Sequence, residues 1–234
     1  MKEEPDRILL STPSLTVTVS KSPVLLRFTT AEGRVLNEDD ADLGITWQGT
    51  EVSCFKRLFP EEKFIGLGEK TGPLDRRGRR FVNWNADHYA YGVEDDPLYT
   101  SIPFFIGLHD KLVYGIFLDN TFRTTFDFGA SSDNRFASFS AANGEMDYYF
   151  FGGSSVAAVI ERYTLLTGRA PMPPLWSLGY QQCRWSYYPD AEVLSDKFSR
   201  LGELLDARRA DLFERDPPAI LESFLVMQQH SELK

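Results

Sequence analysis

From Ile8 to Asp147 the apolar positions come in short runs rich in Val, Ile, Thr, Phe and Tyr, separated by turn residues, and no helical period is sustained. In Leu15 to Ser20 one Leu and two Val alternate with Thr and Ser, the two-residue period of a strand with one face buried. The clearest predicted strands are 15–20, 24–29, 64–68, 104–108, 112–118, 122–128, 136–141 and 146–151. Glu32-Gly33, His109-Asp110 and Asn143-Gly144 predict turns, the last two as tight hairpins. Strands so short and closely spaced predict a β-sandwich over residues 1–151.

At Gly152 the pattern changes. Val156, Val159, Ile160 and Tyr163 fall at helical spacing behind a serine cap, which predicts a helix over 156–167. Prolines at 171, 173 and 174 end it and make 152–174 a helix plus extended linker. Leu175 to Cys183 reads as a buried strand, and Asp190 opens a helix, so 175–200 has the form of the start of an α/β unit. One parallel strand cannot close a core, because its backbone groups and both its faces need neighbours. Residues 201–234 continue as mixed-charge helical segments broken at Pro217-Pro218.

Composition bounds the function. Hydrophobic residues make up 42% of 234, enough apolar surface for a folded core. The 34 acidic against 25 basic residues give a net charge of −9, which excludes an unpatterned nucleic-acid or anionic-membrane surface. No apolar run near Met1 is long enough for a signal peptide or membrane anchor, so the expected location is cytoplasmic. Cys54 and Cys183 are expected to be reduced, buried thiols. The three histidines, His88, His109 and His230, assemble neither a metal set nor a nucleophile triad, and no metal or cofactor is expected.

Chemistry-bearing residues concentrate in two places. In 81–89, Asn83, Trp84, Asn85, Asp87, His88 and Tyr89 combine amides, a carboxylate and aromatic rings, the parts from which sugar sites are built. A plainer alternative makes Trp84 and Tyr89 core residues and Asp87 a loop cap. The glycines of 66–72 fit neither a phosphate loop nor a dinucleotide fingerprint. The basic run Arg76, Arg77, Arg79, Arg80 is expected to pair with Asp75 and Glu69. The second cluster, 176–190, sits where a parallel strand would end, with Trp185 and Tyr187 as the residues to face a ligand.

Several blocks in order, Gly-Leu-Gly-Glu-Lys-Thr-Gly-Pro-Leu-Asp at 66–75, Trp-Asn-Ala-Asp at 84–87, Asp-Pro-Leu-Tyr-Thr-Ser-Ile-Pro-Phe-Phe at 96–105, Tyr-Phe-Phe-Gly at 149–152 and the run 174–187, closely resemble the N-terminal region of glycoside hydrolase family 31. That resemblance implies a mainly β fold: a galactose-mutarotase-like sandwich, then the first strand and helix of an incomplete (β/α)8 barrel; it stops near residue 200, and the helical tail is read from the residues alone. The resemblance implies that Asp87 hydrogen-bonds sugar hydroxyls and that Trp185 lines the same subsite; the aromatic clusters themselves add Trp84 and Tyr187 as further candidates. It implies an α-glucoside or oligosaccharide as ligand, bound weakly if at all. A retaining glycosidase also needs two carboxylates roughly 5 Å apart. The Trp-x-Asp-Met-Asn-Glu-like segment that carries the family's nucleophile is absent from these residues, and so is the Phe-Arg-x-x-x-Ile-Pro continuation after Phe198, so no catalytic residue is assigned.

The expectation is therefore the N-terminal part of a retaining α-glucosidase, inactive alone. The alternative is a self-sufficient carbohydrate- or partner-binding sandwich whose tail covers Trp176, Tyr180 and Trp185; left bare, those aromatics predict self-association. A sugar epimerase is disfavoured, because His88 and His109 have no paired carboxylate in recognisable context.

Overall fold

A computed structural model describes residues 1–179, which fall into two compact units, 1–170 and the unit that begins at Pro171. The first unit opens with β1 (Lys2–Glu3), β2 (Arg7–Ser11), β3 (Leu15–Lys21), β4 (Val24–Thr30) and β5 (Val35–Glu38). There follow β6 (Ile45–Gln48), β7 (Glu51–Arg57), β8 (Lys63–Gly66), β9 (Arg80–Asn83), β10 (Phe104–His109), β11 (Leu112–Leu118), β12 (Thr124–Asp127), β13 (Phe136–Ala141), β14 (Tyr148–Gly153) and one helix, α1 (Val156–Thr167). They make three antiparallel sheets: β1-β2-β3-β4-β5, then β6-β7-β13-β12-β9, then β14-β11-β10-β8.

One core joins all three sheets. Phe28 and Leu36 come from the first, Cys54, Phe81, Phe126 and Phe139 from the second, and Phe64, Phe105, Tyr114 and Ile116 from the third. The third sheet is covered on both faces. Phe105, Tyr114 and Ile116 point into this core, while Phe104, Ile106 and Val113 meet Val159 of α1 on the other side. That is why β10 and β11 read as nearly continuous apolar runs rather than as alternation.

The helix is fixed by its cap and its packing. Ser155 Oγ accepts from the Ala158 N–H at 3.2 Å, and the Tyr163 ring stacks on Phe104 with centroids 3.9 Å apart. Gly115 lets the two layers meet, because a Cβ there would stand 2.7 Å from Val159 Cγ1. A buried ion pair ties the first sheet to the second: Lys56 Nζ lies 2.5 Å from Asp39 Oδ1 and donates to the Tyr148 hydroxyl at 2.9 Å. Burial pulls the Lys56 ammonium down, but its ionisable neighbours Cys54, Tyr148 and Asp39 outweigh that and the group is raised overall. Beside it Cys54 is a free, buried thiol pushed up to about 12, chiefly by burial.

The sandwich, the helix and all eight predicted strands are present, with ends shifted by a few residues in several. Two expectations are corrected. Asn143-Gly144 is no hairpin: β13 pairs with β7 and β12, β14 pairs with β11, and the turn carries the chain between sheets. Asn-Gly supplies a positive φ to any tight reversal, here +86° at Gly144, whereas pairing is decided by the partners each strand finds. The turn after His109 is a true two-residue hairpin, with Asp110 and Lys111 at φ +47° and +60°. In the second unit Leu175–Leu178 forms a 3-10 turn rather than the start of a strand. Its Ser177 N–H donates to the Pro174 carbonyl at 2.9 Å, so the backbone is satisfied locally, and Leu175 and Leu178 are exposed.

Candidate functional site

After β9 the chain leaves the second sheet and runs as a loop, 84–103, to β10 of the third. β9 is an edge strand, so one side of it lacks a ladder partner. Lys70 and Asp96 supply one. The Lys70 ammonium donates to the Val82 carbonyl at 2.5 Å and pairs with Asp96 Oδ1 at 2.6 Å, while the Val82 N–H donates to the other carboxylate oxygen. Both side chains are buried or nearly so, which makes the pair a clamp at the base of the loop. Thr71 Oγ1 donates to the Val93 carbonyl at 2.7 Å, and Arg79 pairs with Glu94 at 2.6 Å.

The basic run is built into this base and does not pair with Asp75 and Glu69. The Arg76 guanidinium donates to the carbonyls of Lys70, Thr71 and Pro73, and Arg77 to those of Phe59 and Glu62. Asp75 instead accepts the Phe64 and Arg77 backbone N–H groups. A guanidinium has five donors in a fixed fork, so it satisfies several loop carbonyls that no strand or helix would reach.

Above the clamp the loop presents side chains outward. Trp84 is 50% exposed, Tyr99 46% and Tyr89 89%, and Asp87 is exposed. The Ala86 N–H donates to the Leu98 carbonyl at 3.0 Å, and the Tyr99 hydroxyl to the His88 carbonyl at 2.7 Å, which draws the two limbs together. The Tyr99 phenol is raised above its usual value, first by lost solvation and next by the neighbouring Asp87 carboxylate. The His88 imidazole makes a surface contact, 3.8 Å from Asp95. His109 is buried, stacked on Phe59 with centroids 4.2 Å apart and with Nε2 on the Leu36 carbonyl at 2.9 Å. Neither is placed as an acid or base.

An open groove of about 460 Å³ lies beside the loop, lined by Asn83, Trp84, Ser101, Phe117, Asn120 and Phe122 among others. Trp84 is brought to it; Asp87 is not among its lining residues. Tyr180, Trp185 and Tyr187, with the side chain of Trp176, lie outside the described residues. Among the described residues no group of three His, Cys, Asp or Glu side chains is placed to hold a metal ion, and no helix is long and apolar enough to cross a membrane.

Sequence comparison decides the family. Residues 1–127, more than half the chain, match the glycosyl hydrolase 31 N-terminal galactose mutarotase-like domain. The chain belongs to glycoside hydrolase family 31. Residues 170–203 match the TIM-barrel domain of the same family. Residues 198–234 match a different family, the uridylyltransferase GlnD third domain. Family 31 relatives include alpha-glucosidase 2 of Bacillus thermoamyloliquefaciens, 44% identical over 82% of this chain and 24% of its own length. The alpha-glucosidase of Saccharolobus solfataricus is 35% identical over 76% of this chain and 27% of its own. A Flavobacterium johnsoniae family 31 dextranase, solved with glucose, superposes with a TM-score of 0.78 at 39% identity, covering 89% of this chain and 24% of that one. The chain thus spans about a quarter of the length of these family 31 relatives, and corresponds to their N-terminal region.

Asp87 and Trp84 were legible as a cluster of sugar-binding residue types. Asn83 belonged to the same cluster, whereas Lys70, Asp96, Tyr99, Ser101 and Phe122 were not singled out. Phe81 and Asn83 alternate with exposed or half-exposed neighbours in β9, which places the Asn83 amide where the two-residue period calls for an apolar side chain.

Proposed function

We propose that these residues form the substrate-facing N-terminal part of a retaining α-glucosidase-type hydrolase. Asp87 hydrogen-bonds sugar hydroxyls, Trp185 lines the same subsite, and Trp84 and Tyr187 lie close to it. The observation that carries this is Asp87 itself, held exposed on a loop whose base is clamped by Lys70 and Asp96, in a chain of family 31. A loop whose base is anchored by Lys70 and Asp96 presents the Asp87 carboxylate at a fixed place.

By themselves the 234 residues do not hydrolyse a glycoside, because they lack the segment that carries the family's nucleophile. Sugar binding through one side of a cleft is weak: each hydrogen bond nets about 0.5–1.5 kcal/mol against water, less than association itself costs. The test is rigorously purified chain incubated with a chromogenic α-glucoside, alongside saturation-transfer NMR of isomaltotriose. The expected result is no turnover and a weak transfer signal that Asp87→Ala reduces. Turnover overturns the inactivity claim, and a signal untouched by Asp87→Ala overturns the role of Asp87.

A further inference from the structure

We propose that the groove between the ends of the second and third sheets is a second pyranose-binding site, distinct from the position of Asp87, with Asn83 at its back and Trp84 and Phe122 at its sides. Only the class of ligand, a gluco-oligosaccharide, rests on the function proposed above; the site itself rests on what lines it.

The groove exists because two sheets part there. β11 ends at Leu118, whose N–H donates to the Pro103 carbonyl at 2.9 Å, and the chain then crosses to β12. On the second sheet Asn83 and Thr124 face each other across the end of β9 and β12. Between these strand ends the surface is concave, with a volume inside the roughly 300–1,000 Å³ typical of small-molecule sites.

Its chemistry suits a sugar ring. Trp84 and Phe122 are each half exposed, and flat aromatic faces of this kind are covered by the C–H face of a pyranose. Asn83 is only 4% exposed, yet among the described residues neither its amide oxygen nor its amide nitrogen has a partner, and the Ser101 hydroxyl has none there either. A buried polar group left so costs about 1–3 kcal/mol. Adjacent sugar hydroxyls, each both donor and acceptor, meet the N–H and C=O of one amide together. Asn120, in the same wall, shows the contrast. Its amide donates to the Asn143 and Glu145 carbonyls at 3.0 Å each and accepts the Phe122 N–H at 2.8 Å, so it is spent on holding Phe122 and the 143–144 turn in place. Among the described residues no Lys or Arg lines the groove and Asp119 does, which turns away phosphates and other anions.

The test is ¹⁵N NMR of the full chain titrated with isomaltotriose. Saturable shifts are expected at the Trp84 indole N–H and the Asn83 side-chain NH₂. Trp84→Ala and Phe122→Ala should each weaken binding about three- to tenfold. Asn83→Ala should abolish the shift at Trp84 with no fall in the thermal midpoint, since the amide it removes is bonded to nothing; a fall in midpoint would mark Asn83 as structural and overturn its role. Asp87→Ala should leave the groove shifts unchanged, so failure of the Asp87 assignment and failure of this site are separable. Shifts confined to 86–99, or none at Asn83 and Trp84 at millimolar sugar, overturn the proposal.

Discussion

The sandwich core and the 84–103 loop use the same aromatic residues for opposite ends. In the core, Phe64 stacks on Phe128 at 4.5 Å and Phe28 on Phe150 at 3.9 Å, and Phe126 has no exposed surface. In the loop Tyr89 stands in solvent and Trp84 and Tyr99 are half exposed. The difference lies in how the backbone is satisfied. Strand ladders bond the core's peptide groups, so its side chains are free to pack. The base of the loop is bonded by side chains, Lys70, Arg76 and Asp96, so that the side chains further out need not pack at all.

If that contrast holds, the largest effects come from the core's own polar exception. Asp39→Ala leaves the Lys56 ammonium buried without its counter-ion, and unfolding in denaturant should show a loss of about 3–5 kcal/mol. Phe126→Ala should cost about as much through the cavity it opens. Lys70→Met comes next. It strips the Val82 carbonyl and Asp96 of their partner, a loss of roughly 1–3 kcal/mol that should fall on the loop. Hydrogen exchange at 82–96 should speed up well before exchange at β10 and β11 does; equal acceleration in both would mean that the clamp belongs to the core.

A smaller, pH-dependent effect separates the two regions again. Glu62 is buried, accepting the Phe59 N–H at 2.9 Å and the Tyr114 hydroxyl at 2.7 Å, and burial raises its carboxyl above the ordinary 4.5. The folded chain therefore holds that proton more tightly than the unfolded chain. The stabilisation is complete below the unfolded value and is lost as pH rises through the raised folded value. Glu62→Gln mimics the protonated form, and its thermal midpoint should fall less than that of the parent as pH rises through this window. Parallel curves for the two proteins would show that Glu62 does not titrate there.

How far the sequence reveals all this depends on the range of the interaction. β11, β13 and α1 were readable to the residue because their patterns are local. β7 was passed over because its inward positions are Val52, Cys54 and Lys56, and a lysine breaks the apolar period whose place it holds. The 69–70 and 96 segments were recognised by resemblance, but that Lys70 and Asp96 bond each other, 26 positions apart, follows only from the fold. The mixed-charge stretch after Phe198 shows helical spacing and no motif, so its similarity to the GlnD third domain was invisible to periodicity.

The smallest expected effect on stability is the one that bears most on function. Asp87 is exposed and its side chain bonds that of half-exposed Tyr99, a surface contact that an amide can keep, so Asp87→Asn should shift unfolding by no more than about 0.5 kcal/mol. Its neighbour Tyr99 is the internal check. The Asp87 carboxylate is the second cause of the raised Tyr99 phenol, so the amide should lower the Tyr99 titration midpoint without moving the core. A variant folded as before, with Tyr99 titrating lower and the sugar signal reduced, identifies a carboxylate that serves the ligand. A drop in stability comparable to that of Lys70→Met would instead place Asp87 among the residues that hold the loop, and the division between a self-satisfied base and a free tip would not stand.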